Sequence, residues 1–489
     1  MVKRRGLVLT GLLAVALVAR LVWLDGAFDV NEPDEVMYLH VAENFARGVP
    51  YPRYDYESRY RDGLFVVPPF PLYTAGLLFR LVEPSLLHFR AMSVGFGVVS
   101  VAAFAAFAAL YLEGLPLVVA VALFALSPVA LRESTQALLG APAVFFLLIA
   151  LWAYVRHVRD GRLRHLAAFG AALGATAACK QYGVLVGGLL ALHWCWLRWR
   201  TGAPSLRRMA AGFGIAAATF CALVPWVLWR PYDSLHLYLY QSLIVHVLGL
   251  LRGQRGGGTL FSLPYPELVL AHGLVGVLGL VAFALTWRRK GDVALWYGVL
   301  LGLPIVVVRE VRYLSLALPI GSLFAGYLLA AMAELGKASR PARVAGGLLA
   351  VLLVGSLVPV SMMPWRTASG LEAACGFVAD HTKPGDRVLS NYWRPVIERF
   401  TGRNVPADWL EAEAREAIEG GRVRFVIVDH SAYTRRVIQT PEREETADWV
   451  ADRFPVVWSL RTGDEGGTEV YLTSGARGEG EAPAEPLTR

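Results

Sequence analysis

Two adjacent carboxylates, Asp34 and Glu35, directly follow Pro33 in the stretch DGAFDVNEPDEVMYLHVAENFARG. Proline favours the first helical position and glycine the position just past the end, so Pro33 and Gly48 bracket a helix running to about Arg47. Asp34, Tyr38, Val41 and Phe45 then share one face. A carboxylate pair at such a place can belong to a functional site. It can also do no more than complement the helix dipole. Other chemistry-bearing residues are sparse. His236 and His246 share one loop and read as solvated side chains, with metal ligation the alternative. The run GQRGGG at Gly253–Gly258 lacks the Gly-Lys-Ser/Thr ending of a phosphate-binding loop, and reads as a mobile loop. Cys179, Cys195, Cys221 and Cys375 show no Cys-x-x-Cys spacing and no disulfide framework.

The elements that must position these residues are set by composition. Of 489 residues 55% are hydrophobic and 18% charged, where a soluble domain carries about 25% charge. Mean hydropathy is +0.46. Lys and Arg number 47 against 39 Asp and Glu, a net charge of +8. These basic residues fall in short clusters between apolar runs, which argues against nucleic-acid binding. Soluble and disordered classes are excluded, and the chain reads as an α-helical polytopic membrane protein.

A spanning helix needs about 20 mostly apolar residues. Gly6–Leu24, His88–Tyr111, Leu115–Leu131, Ala137–Val155, Met209–Trp229, Pro266–Trp287, Val293–Val308, Leu314–Ala333 and Val344–Met363 qualify, and Leu166–Leu197 holds two short spans broken around Lys180–Gly183. Basic clusters mark cytoplasmic loops, and an even number of crossings must separate them. That parity demotes the Pro-rich Pro68–Val82 to a helix lying at the outer interface. About eleven spans result, with the N-terminus inside and the C-terminus outside. A signal peptide is the alternative reading of the first segment, against which Arg20 interrupts the apolar run. The predicted domains are a membrane domain over 1–363 with a first outer loop at 25–87, a small extracytoplasmic α/β domain over 364–474, and a disordered tail at 475–489. Within the second, Arg387–Asn391, Arg424–Asp429, Val456–Leu460 and Glu469–Leu472 read as strands and Trp409–Glu419 and Pro441–Phe454 as helices. Topology thus puts Asp34 and Glu35 at the outer rim of the membrane, where a paired carboxylate is expensive to desolvate and often functional. No internal repeat is present, which weighs against a secondary transporter.

Several motifs occur in a familiar order. Asp34-Glu35-Val36-Met37-Tyr38-Leu39-His40 opens a helix after one span. Val67-Pro68-Pro69-Phe70, Arg90-Ala91-Met92-Ser93, Ser127-Pro128, Gly174 through Lys180, and Arg312-Tyr313-Leu314-Ser315 with Pro319 follow. Together they resemble the GT-C membrane glycosyltransferases, and within them the protein O-mannosyltransferases and the aminoarabinose transferases that modify lipid A. The resemblance implies transfer of a sugar from a polyprenyl-phosphate donor to a lipid, glycan or protein acceptor on the outer face of the cell membrane. It makes Asp34 the proton acceptor, with Glu35 beside it. It also makes Lys180 and Tyr313, and less directly Arg312, the groups that meet the donor phosphate. No cofactor is implied with certainty, and a divalent metal is compatible with the family. Each residue has a plainer reading. Lys180 can snorkel from a helix end, Arg312 can pair with Glu310, and Tyr313 can belong to an interfacial aromatic belt.

Two departures stand out. Val67 occupies a position where many relatives carry His or Lys, and Gly140 one where many carry Asp or Glu. Glu133, the only acid of the short loop Arg132–Gln136, is the alternative source of that second carboxylate. If it does not supply one, Asp34 and Glu35 act alone, or the chain is a non-catalytic relative that binds or presents a lipid-linked glycan.

Overall fold

A computed structural model describes residues 2–26, 32–55, 67–202, 205–235, 318–338, 344, 370–403, 405, 411–430, 441–461 and 467–473. His236, His246, the Gly253–Gly258 run, Arg312, Tyr313 and the segments Pro266–Trp287 and Val293–Val308 lie outside the described residues, as does Val344–Met363 beyond its first residue. The chain divides into two compact units. The first comprises Met1–Asp25, Ala42–Pro52 and Val66–Met363; the second comprises Gly26–Val41, Arg53–Phe65 and Pro364–Arg489.

The first unit is helical. Its described helices are α1 (Val2–Leu21), the end of α2 (Asp34–Ala46), α3 (Phe70–Leu78), α4 (Leu86–Ala108), α5 (Gly114–Ala125), α6 (Pro128–Thr135), α7 (Gly140–Asp160), α8 (Leu163–Cys179), α9 (Tyr182–Thr201), α10 (Leu206–Leu223), α11 (Trp226–Trp229), α12 (Pro231–Leu235) and α13 (Leu318–Ala338). Among the described residues α4, α7 and α10 are each long and apolar enough to cross a membrane, and α5 with α6 makes a further, bent pair. Helix α3, with 9 residues, is far shorter than the roughly 20 a span requires.

Two expected continuous spans are broken. Leu115–Leu131 is divided between α5 and α6, which meet at 49°. Pro128 at the start of α6 cannot donate to the preceding turn, so the ladder stops before it. Met209–Trp229 is divided likewise ahead of Pro225, with Val224 taken out of the helical region. The break expected near Lys180 is present: α8 ends at Cys179, Lys180 is extended (φ −154°, ψ 131°), and α9 resumes at Tyr182.

Helix α7 packs on α4 and α8, α8 on α10, and α5 on α13. Phe104, Phe107, Phe124, Phe169, Trp194 and Phe324 fill the centre. The α8–α10 contact depends on small residues: a Cβ on Gly170 would lie 2.5 Å from the Gly212 carbonyl oxygen, and one on Gly174 2.3 Å from that of Ala216. Such close backbone approach is how helices associate where lipid removes the hydrophobic drive between them. Val15, Val18 and Val22 of the α1 region and Leu228 and Trp229 of α11 are exposed, as suits surfaces facing lipid.

The second unit carries a four-stranded sheet of β1 (Val388–Ser390), β2 (Phe425–Asp429), β3 (Val456–Arg461) and β4 (Gly467–Leu472) in the order β1-β2-β4-β3. Strands β1 and β2 are parallel, while β4 runs antiparallel to both β2 and β3. Alternation sorts the side chains onto two faces. Val388, Phe425, Ile427 and Val470 join a core with α14 (Leu371–Asp380) and α15 (Arg394–Thr401). Leu389, Val426, Val428 and Tyr471 join a second core with α16 (Glu411–Glu419) and α17 (Pro441–Arg453). Helices therefore cover both faces. The four strands lie where the alternation predicts them; α14 and α15 were not foreseen.

Candidate functional site

Helix α2 begins at Asp34 and ends at Ala46, followed by Gly48 at φ 94°, a left-handed conformation that stops the helix. Both acids stand in its first turn. Glu35 is fully buried and Asp34 half-buried. The Glu35 backbone N–H donates to the Glu32 carbonyl at 3.1 Å, closing the turn through Pro33. Further along, His40 Nε2 lies 2.8 Å from Asp55 Oδ2, and its ring meets Tyr54 edge-on at 5.4 Å. Arg53 Nε donates to Asp55 Oδ1 at 2.5 Å. These residues tie the Arg53–Asp55 stretch to α2.

Lys180 belongs to the first unit. It sits where α8 gives way to α9, its backbone N–H donating to the Thr176 carbonyl at 2.9 Å. Its side chain is 9% exposed, so little of its length reaches solvent. A buried ammonium is stable only with anionic or carbonyl partners about it. Asp34 and Glu35 fall in the second unit and Glu133 and Lys180 in the first.

The Gly140 departure has a local explanation. Glu133 is 3% exposed, and neither of its carboxylate oxygens has a hydrogen-bond partner among the described residues. A Cβ built on Gly140 would come within 1.6 Å of Glu133 Oε2 and 2.7 Å of Cδ. The Glu133 carboxylate therefore occupies the space in which any side chain at position 140 would begin. A side chain at position 140 would displace the Glu133 carboxylate, which reaches this point from α6 rather than from the start of α7.

The group that fixes α6 is Arg20, an arginine inside the first apolar run. Arg20, 1% exposed, donates from Nε to Ser134 Oγ at 2.8 Å. Its Nη1 donates to the carbonyls of Ala16 at 2.9 Å and Ala125 at 3.2 Å. Ala125 is the last residue of α5, whose carbonyl the helix itself leaves unpaired. Arg20 thus bonds to both sides of the α5–α6 bend. Gly97 leaves room for it, since a Cβ there would lie 2.7 Å from Arg20 Nε. Arg20, Ser100, Ser134 and Glu133 line one small cavity. The signal was present in the sequence, because an arginine inside an apolar run is a functional hypothesis in itself. Arg90, the first residue of the Arg90-Ala91-Met92-Ser93 motif, is fully buried and donates from Nη1 to the Asp25 carbonyl at 3.0 Å and to Asp25 Oδ1 at 2.9 Å.

Among the described residues no group of three or more His, Cys, Asp and Glu side chains is placed to hold a metal ion.

Residues 66–229 match the family model described as dolichyl-phosphate-mannose-protein mannosyltransferase. Comparison with curated proteins found no match. Among solved structures, ArnT from Cupriavidus metallidurans bound to undecaprenyl phosphate aligns with a TM-score of 0.61 at 15% identity, covering 96% of this chain and 99% of that one. The apo oligosaccharyltransferase of Archaeoglobus fulgidus aligns at 0.63 and 13%, covering 86% and 69%. A complex of the latter enzyme with Zn and sulfate aligns at 0.60 and 13%, covering 86% and 68%. At these identities the likeness establishes the fold. The chain has the architecture of the GT-C membrane glycosyltransferases.

Proposed function

We propose that this chain, built on the GT-C glycosyltransferase fold, transfers a sugar from a polyprenyl-phosphate donor to a hydroxyl-bearing acceptor at the outer face of the cell membrane. The observation that carries the reading is the Glu133 carboxylate, buried without a hydrogen-bond partner among the described residues and seated over Gly140. A buried carboxylate without a hydrogen bond is expensive for a purely structural residue. It supports retention of the second acid that the loss of a carboxylate at 140 would otherwise remove.

The chemistry is a displacement at the anomeric carbon. The acceptor oxygen forms a bond to that carbon as the bond from carbon to the phosphate oxygen breaks, and polyprenyl phosphate leaves. Asp34 accepts the hydroxyl proton, which a neutral alcohol must lose to act as a nucleophile. Glu35, buried beside it, orients the first turn. Lys180 faces the growing charge on the leaving phosphate. Arg312 and Tyr313 are proposed to join it there. The N-terminus is cytoplasmic, the membrane domain spans 1–363 in about eleven crossings, and the α/β domain is extracytoplasmic.

Purified protein incubated with a native lipid extract should release polyprenyl phosphate, and Lys180→Ala should weaken binding of that lipid phosphate. Unchanged binding by Lys180→Ala would remove Lys180 from the site. In intact cells an impermeant thiol reagent should label cysteines introduced in Arg387–Asp429; protection there would overturn the orientation.

A further inference from the structure

The C-terminal domain lies more than 300 residues from Asp34 in sequence, yet the chain between Gly26 and Val41 belongs to the same compact unit. Val36, 1% exposed, belongs to the buried cluster of Leu371, Val378, Tyr392, Val396, Phe425 and Val470. That cluster is one face of the sheet, already covered by α14 and α15. The start of α2 is therefore a further helical element of the domain core on this face, supplied by a distant part of the chain.

Successive residues of an α-helix are rotated by about 100°. Val36 thus points well away from Asp34, two positions earlier, and the half-buried state of Asp34 contrasts with the full burial of Val36. A helix with one side chain locked into a packed core has its rotation about its own axis fixed. The bearing of every other side chain on that turn is fixed with it. The bond between His40 and Asp55, 2.8 Å long, adds a second restraint one turn further on.

We infer that the C-terminal domain is the platform that orients the catalytic turn, and that Val36 is the positioning residue through which it acts on Asp34. The inference rests on the reading of Asp34 as the proton acceptor. It gives the domain a role in the chemical step through the same contacts that fold it.

The test compares full-length variants on the two faces of the sheet. Val36→Ala and Val396→Ala should each lower kcat about 10-fold or more, leave KM for the lipid donor within about 2-fold, and leave the protein folded in detergent. Displacement of a reacting group by a fraction of an ångström has effects of that order. Val36→Ile, which keeps the apolar contact, should restore kcat. Val426→Ala removes an equally buried side chain from the opposite face; it should lower thermal stability while leaving kcat near wild type. Wild-type kcat in folded Val36→Ala overturns the inference, and so does a kcat loss in Val426→Ala as large as in Val36→Ala. If Asp34→Asn abolishes turnover and Val36→Ala does not reduce it, the positioning inference alone fails. If Asp34→Asn turns over normally, the reading of Asp34 fails and takes this one with it.

Discussion

Replacing Gly140 by alanine is the smallest change that separates a working second acid from an accidental one. The new Cβ would stand 1.6 Å from Glu133 Oε2 and 2.7 Å from Cδ. Ordinary non-bonded contacts lie at roughly 3.5 Å, so the carboxylate must move by about 2 Å. The obstacle is the free end of a flexible side chain, so it can swing aside. The stability loss should then sit at the low end of the roughly 1–3 kcal/mol seen for overpacked cores. Activity should respond far more strongly, because a misplacement of about 1 Å is worth on the order of 10²-fold in rate. Turnover of lipid donor and melting temperature, measured on the same purified sample, distinguish the two effects. Adding Glu133→Ala should relieve the clash and recover the melting temperature with turnover still lost. Combining Gly140→Asp with Glu133→Ala should regain part of the rate, since the acid would then start from α7. A Gly140→Ala protein with full turnover would refute the argument, because it would show that the position of Glu133 is irrelevant to the reaction.

Two further outcomes follow from other parts of the molecule. Ser134→Ala leaves Arg20 Nε without its acceptor at 2.8 Å in a buried site, which should reduce stability by about 1–3 kcal/mol. The added effect should vanish in an Arg20→Leu background, as melting in detergent would show. In the second unit, the Asp386 carboxylate accepts from the Lys383 backbone N–H at 2.9 Å and from Arg424 at 3.1 Å. These bonds hold its pKa below the ordinary 3.8, outweighing the opposing effect of partial burial. A depressed carboxylate stabilises the folded state above its unfolded pKa, and that contribution is lost as pH falls through the lower folded value. Asp386→Asn should therefore lower the melting temperature at pH 7 and flatten its decline below about pH 4; an unchanged decline would contradict this.

What the sequence made legible were features encoded by neighbours in the chain. Pro33 and Gly48 bound α2 because each acts on its own backbone dihedral. Alternation locates β1 to β4 because each strand has two different cores to face. Lys180 marks a helix break because an apolar run is interrupted there by a charge and followed by Gly183. The bend between α5 and α6 was announced by Pro128 and still read as one span, since length and hydropathy are blind to direction. Helix α15, eight residues from Arg394 to Thr401, is too short for its period to stand out. The features that matter most for function are non-local. Nothing in DEVM reveals that Val36 completes a core built from residues between Leu371 and Val470. The match between Glu133 and Gly140 joins two helices through a steric vacancy, which a sequence records only as a glycine.

The central claim is that Asp34 takes the acceptor's proton while the chain holds a lipid phosphate donor. Turnover of polyprenyl-phosphate sugar by purified wild type and Asp34→Asn, with binding of polyprenyl phosphate measured in parallel, tests it most directly. Removal of a general base typically lowers the rate by about 10²–10⁴, whereas losing one first-turn acid affects stability by at most roughly 1 kcal/mol. The account predicts a rate loss of that size in Asp34→Asn, with lipid-phosphate binding and melting temperature unchanged. Full turnover with a slightly lowered melting temperature would contradict it and leave Asp34 a helix-dipole partner. So would a wild-type protein that binds polyprenyl phosphate and turns over no donor.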